Sequence, residues 1–68
     1  MEKIKIETEY IKLEQMMKFA GLAGSGSDAK MIIGEGKVSV NGNIELQRGK
    51  KLRPGDTVEY KGKRYLIE

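Results

Sequence analysis

Sixty-eight residues, 38% hydrophobic and 34% charged, with a net charge of +3 and a pI near 9.3, allow one domain (1–68) around a small core. The chain has neither cysteine nor histidine, which removes disulfide staples and the usual nitrogen and sulfur ligands for zinc, so no metal is expected. No run approaches the roughly 20 apolar residues of a membrane span, and Met1 to Glu7 alternates charge with isoleucine, unlike a signal peptide; a cytoplasmic protein with no membrane contact is expected.

Lys3-Ile4-Lys5-Ile6-Glu7 alternates polar and β-branched residues, the pattern of a short strand at a sheet edge where lysines discourage aggregation. Leu13, Met16, Met17 and Ala20 then fall at i, i+3, i+4 and i+7, with Lys12, Glu14, Gln15 and Lys18 on the other face. This spacing predicts a helix over 12–20, its methionines in the core, stopped by Gly21. Ser25-Gly26-Ser27-Asp28 resembles a capping box, with Asp in place of the longer Glu or Gln. A second helix follows, burying Ala29, Ile32 and Ile33 and ending at Gly34 and Gly36. Only Leu22, Ala23 and Gly24 separate it from the first, so the two pack as a tight pair.

Past Gly36 the period changes to two. Lys37 to Val40 reads as a strand, Asn41-Gly42 as a hairpin turn of two residues that tolerate positive φ, and the return strand starts near Ile44. Arg53-Pro54-Gly55-Asp56 has Pro and Gly where a type II turn needs them. Thr57 to Tyr60 and Arg64 to Ile67 form a last hairpin turning at Lys61-Gly62-Lys63. The outline is β, α, α and four short strands, an α+β fold with two packed helices against a small, mainly antiparallel, twisted sheet. Its expected core is Leu13, Met16, Met17, Ala20, Ala29, Ile32, Ile33, Val38, Val40, Leu52 and Val58.

Charge is unevenly spread. Residues 1–36 hold five Lys against six acids, and residues 37–68 hold eight Lys plus Arg against four acids. Gln47 to Arg53 contains Arg48, Lys50, Lys51 and Arg53 and no acid, a concentration that suits a polyanionic partner.

Chemistry is harder to place. Gly24-Ser25-Gly26-Ser27-Asp28-Ala29 matches a dinucleotide fingerprint formally, but a helix precedes it where a strand is required and no βαβ unit can be completed; no cofactor is expected. The glycines serve a helix N-terminus, where free N–H groups can receive a phosphate, opposed here by the Asp28 carboxylate. Without His or Cys, catalysis would fall to carboxylates such as Glu7, Glu9 and Glu35, none in a pocket-forming context; a non-enzyme is expected, with no catalytic residue.

Ser25 to Gly42, with its Ala29-Lys30, Ile32 and Gly36-Lys37-Val38-Ser39-Val40-Asn41-Gly42, resembles the S4 RNA-binding domain. Lys12-Leu13-Glu14 is similar to the Arg-Leu-Asp that opens the first helix of that family, and Pro54-Gly55-Asp56 to its closing Gly-Asp turn. The resemblance spans residues 11 to 60. More narrowly, the Gly24 to Lys30 start and Arg48-Gly49-Lys50-Lys51-Leu52 look like the free-standing bacterial S4-like proteins of the YaaA and YbcJ type.

The resemblance implies an S4-like (αL) fold whose helix pair and hairpin form one RNA-binding face. By position it implicates Lys12, Ser25, Lys30 and Lys37, with Asn41 and Gly42 as a structural turn. The family's Arg after the Ser is Gly26 here; Arg48, Lys50, Lys51 and Arg53 compensate from the adjacent loop. The expected function is non-catalytic binding of structured RNA, ribosomal RNA or a precursor, through phosphates and A-form shape, since no row of exposed aromatics marks a single-strand reader. The alternatives are an adaptor that docks on a ribosomal or assembly protein and an accessory subunit of an RNA-modifying enzyme.

Overall fold

A computed structural model describes residues 1–68. In chain order its elements are β1 (Glu2–Ile4), β2 (Ile11–Lys12), α1 (Leu13–Phe19), α2 (Gly26–Gly34), β3 (Val38–Val40), β4 (Asn43–Ile44), β5 (Lys51–Leu52), β6 (Thr57–Tyr60) and β7 (Lys63–Ile67). Five strands form one sheet in the order β1-β7-β6-β3-β4, while β2 and β5 make a separate antiparallel ladder. The α+β arrangement is as expected, and only the β1–β7 pair runs parallel. That pair clasps the two ends of the chain: the Ile6 N–H donates to the Glu68 carbonyl at 2.8 Å and the Glu68 N–H to that of Ile4 at 2.9 Å.

The helices close as their end residues dictate. Gly21 and Gly36 take φ of +76° and +75° just past α1 and α2, where an L side chain would be strained. Ser25 caps α2, its Oγ accepting the Asp28 N–H at 3.1 Å. The return half of a capping box is not formed, because the Asp28 side chain is one methylene shorter than Glu. At α1 the halves are reversed. Lys12 has no acceptor to offer, and only Gln15 Oε1 contributes, accepting the Lys12 N–H at 3.1 Å.

The core holds the expected Leu13, Met16, Met17, Ala29, Ile33, Val38, Val40, Leu52 and Val58, and it also takes in Ile4, Ala23, Tyr60, Tyr65 and Ile67. Two expectations are corrected. Ala20 is half-buried because it is the C-cap of α1, and Ile32 is half-buried because it lies one position, about 100°, around α2 from Ile33. A third correction is the last hairpin, which turns on Lys61-Gly62 alone, at φ of +51° and +78°. Lys63 belongs to β7, opposite Tyr60.

Candidate nucleic-acid interface

The site is built on the β2–β5 ladder, where alternation decides which side chains face outward. Ile11 and Leu52 are register partners; Leu52 is fully buried and Ile11 packs against the core. With those two facing inward, the opposite side must carry Lys12 and its direct partner Lys51. Continuing the register sets Tyr10 against Arg53 on that same outer side. The Lys51 ammonium lies 4.9 Å and the Arg53 guanidinium 5.8 Å from the centre of the Tyr10 ring. Each such cation–π contact is worth roughly 0.5–1 kcal/mol at an exposed site, enough to bias two long side chains toward one place.

The start of α1 is bolted to the same segment. The Leu13 N–H donates to the Lys50 carbonyl at 2.8 Å and the Glu14 N–H to the Arg48 carbonyl at 3.0 Å. Backbone thus occupies these donors, and the cations rather than the α1 N–H groups are what the surface offers an anion.

Like charges directly opposite in a ladder repel, so the Lys12–Lys51 pair works against the fold. Neither lysine is in an ion pair. The two ion pairs of the molecule are Lys37–Glu35 at 3.2 Å, exposed, and Arg48–Glu14 at 3.9 Å, with Glu14 partly buried. Asp56 lies nearby, and its carboxyl is held below the ordinary value of 3.8. The first cause is the Arg53 N–H donating to Oδ2 at 2.8 Å, aided by the Asn41 amide and the charges of Lys50 and Arg53 and opposed by partial burial.

Five of the eight residues singled out in the sequence therefore share one assembly: Lys12, Lys51 and Arg53 on the ladder face, and Arg48 and Lys50 in the backbone that caps α1. The other three stand on the α2 side. Ser25 begins α2 with its hydroxyl used in capping, Lys30 is exposed on that helix, and Lys37 lies beyond its far end beside Glu35. Ser25 and Lys37 are separated by the helix itself, nine residues or about 13 Å. Gly26 faces open space, where an added Cβ would meet nothing within 4 Å.

One residue of the site, and part of the role of another, escape a reading of the sequence. Tyr10 is the first, although its signal is present: Tyr10 and Lys12 are two apart, as are Lys51 and Arg53, and one pairing puts all four on one side. Asn41 is legible as a turn residue, but its side-chain bonds are not. Beyond its positive φ of 52°, its side chain donates to Asp56 Oδ1 at 3.1 Å and accepts the Thr57 N–H at 2.9 Å. It joins the β3–β4 hairpin to the turn that follows Arg53.

The S4 domain family matches residues 4–68. A Bacillus subtilis (strain 168) protein named as a probable ribosome maturation protein, RlbA, is 44% identical over 59 residues, 87% of this chain and 83% of its own length. YbcJ of Escherichia coli (strain K12) is 36% identical over 53 residues, 78% of this chain and 76% of that one. The solution structure of YbcJ from E. coli, described as revealing an αL motif involved in RNA-binding, superposes with a TM-score of 0.73 at 29% identity, covering 98% of this chain and 86% of the other.

Proposed function

The chain belongs to the S4 domain family, and from that premise we propose that it is a cytoplasmic, non-catalytic RNA-binding protein whose residues 1–68 act as one unit on ribosomal RNA or a precursor. The observation that carries this reading is the Lys12–Lys51 pair, unneutralised and directly opposed, with Arg53 beside it on the Tyr10 ring. A repulsion built into the ladder is relieved when an anion binds between its members. Phosphates spaced along a folded RNA suit three such cations on a rigid frame, with Lys30 and Lys37 on α2 and its exit extending the face. The relatives support the same partner, one through RNA-binding and one through ribosome maturation.

Titration of the protein with a folded RNA hairpin at two salt concentrations tests the reading. With about four phosphate contacts, log affinity falls with log salt at a slope near −3, taking roughly 0.7–0.9 per phosphate. Absence of binding at low salt would reject it. The adaptor reading is favoured by Ile44 and Leu46, both more than 60% exposed and both within about 4 Å of where a Cβ on Gly36 would stand. An adaptor would bind a ribosomal or assembly protein with weak salt dependence.

A further inference from the structure

We propose that the groove between α1 and residues 8–12 holds one unpaired nucleobase of the bound RNA, stacked on Phe19. This rests on the RNA-binding reading and adds to it a class of target: paired RNA carrying a bulged or looped-out nucleotide. The Phe19 side chain is exposed, with the residue 69% accessible, on a helix whose Leu13, Met16 and Met17 are fully buried. A single exposed apolar residue is ordinary on a protein surface. What distinguishes Phe19 is its company.

Lys12, Gln15 and Phe19 stand at i, i+3 and i+7, so they form one line along the outer side of α1, and all three line a groove whose other wall includes Tyr10 and Ile11. Side chains on a helix lean toward its N-terminus, which tips the Phe19 ring back toward Gln15 and the cationic end. Gln15 Oε1 is already committed to the Lys12 N–H, which leaves the amide NH₂ to donate to a ring nitrogen or carbonyl of a base. The groove thus presents, in order, an aromatic plate, an amide donor and Lys12, with Lys51 opposite Lys12 on the ladder. Those are the complements of a base face, a base edge and a phosphate.

Glu9 also lines the groove, and its charge disfavours a phosphate beside it, which leaves Lys12, Lys51 and Arg53 to attract one. Tyr10 does not compete for the base. Two cations lie over its ring, and its part is to position them. One free ring accepts one base, which separates this surface from the rows of aromatics that track a continuous single strand.

The test uses two RNAs, a fully paired duplex and the same duplex with one bulged adenosine, titrated with the intact protein and with Phe19→Ala, Phe19→Tyr and Gln15→Ala. The intact protein binds the bulged RNA more tightly. Phe19→Ala removes that preference, a loss on the order of tenfold or more, without changing the salt slope, because no charge is lost. Phe19→Tyr keeps the preference, and Gln15→Ala lowers it in part. Thermal melting checks that the variants remain folded; Gln15→Ala, which also gives up the bond to the Lys12 N–H, melts lower than the Phe19 variants. If Phe19→Ala weakens both RNAs equally, or neither, the base site is wrong while RNA binding stands. If the intact protein binds neither RNA, the functional reading fails and the site falls with it.

Discussion

Asn41 does two things that one residue type can do together. It accepts a positive φ with little strain, and its amide bonds to Asp56 and Thr57 across the turn. Asn41→Gly separates them, since Gly keeps the backbone conformation and loses both bonds. We expect a loss of about 1–2 kcal/mol in urea unfolding. An unchanged midpoint would mean that the amide contributes nothing. Asp56, its partner, has a folded-state pKa below its unfolded value, and the sign follows. Its contribution is fully present above pH 3.8 and is lost as pH falls through the lower folded value. Asp56→Asn should flatten the acid limb of thermal stability, and an acid limb as steep as that of the intact protein would remove Asp56 from the account. Gly26, where the resemblance to the S4 domain implies Arg, opens α2 with empty space around it. Gly26→Arg should therefore leave stability within about 0.5 kcal/mol and strengthen binding to folded RNA at low salt. A weakened complex would show that this corner does not face the ligand.

At the scale of elements, α2 joins the core through Ala29 and Ile33, both fully buried. Ile33→Ala should cost about 2–5 kcal/mol by thermal or denaturant unfolding, a large share of what so small a domain possesses. A cost below about 1 kcal/mol would mean that the site collapses freely. The helices, the Asn41-Gly42 turn and the β3 and β6 strands are legible in the sequence because period and turn chemistry are local properties of the chain. The β2–β5 ladder is not. Two residues are too few to show a period, and Ile11 and Leu52 meet across some forty residues of chain for a reason visible only once the core exists. The Lys61-Gly62 turn is one residue shorter than expected because Lys, an uncommon occupant of positive φ, takes its first position. Tyr60, Tyr65 and Ile67 lie outside the expected core because burial on β6 and β7 depends on which sheet face the helices cover.

Across the whole molecule, the basic surplus of the second half is carried to the first helix by that same ladder, which sets Lys51 and Arg53 beside Lys12 and Tyr10. The sequence displays these cations as a cluster in residues 47–53 and as scattered single lysines elsewhere. Which of them share a surface is hidden there, since it depends on a pairing of two-residue strands. The central claim is a localised cationic face, and the most direct test compares salt dependence of binding to one folded RNA across single neutralisations. Lys51→Gln, on the ladder, and Lys30→Gln, on α2, should each weaken binding and reduce the slope of log affinity against log salt by about one unit, with folding stability within roughly 0.5 kcal/mol. Lys18→Gln, exposed on α1 outside the ladder, should weaken binding less than either. Equal losses for Lys18→Gln, Lys30→Gln and Lys51→Gln would show diffuse attraction to a cationic protein and contradict the face described.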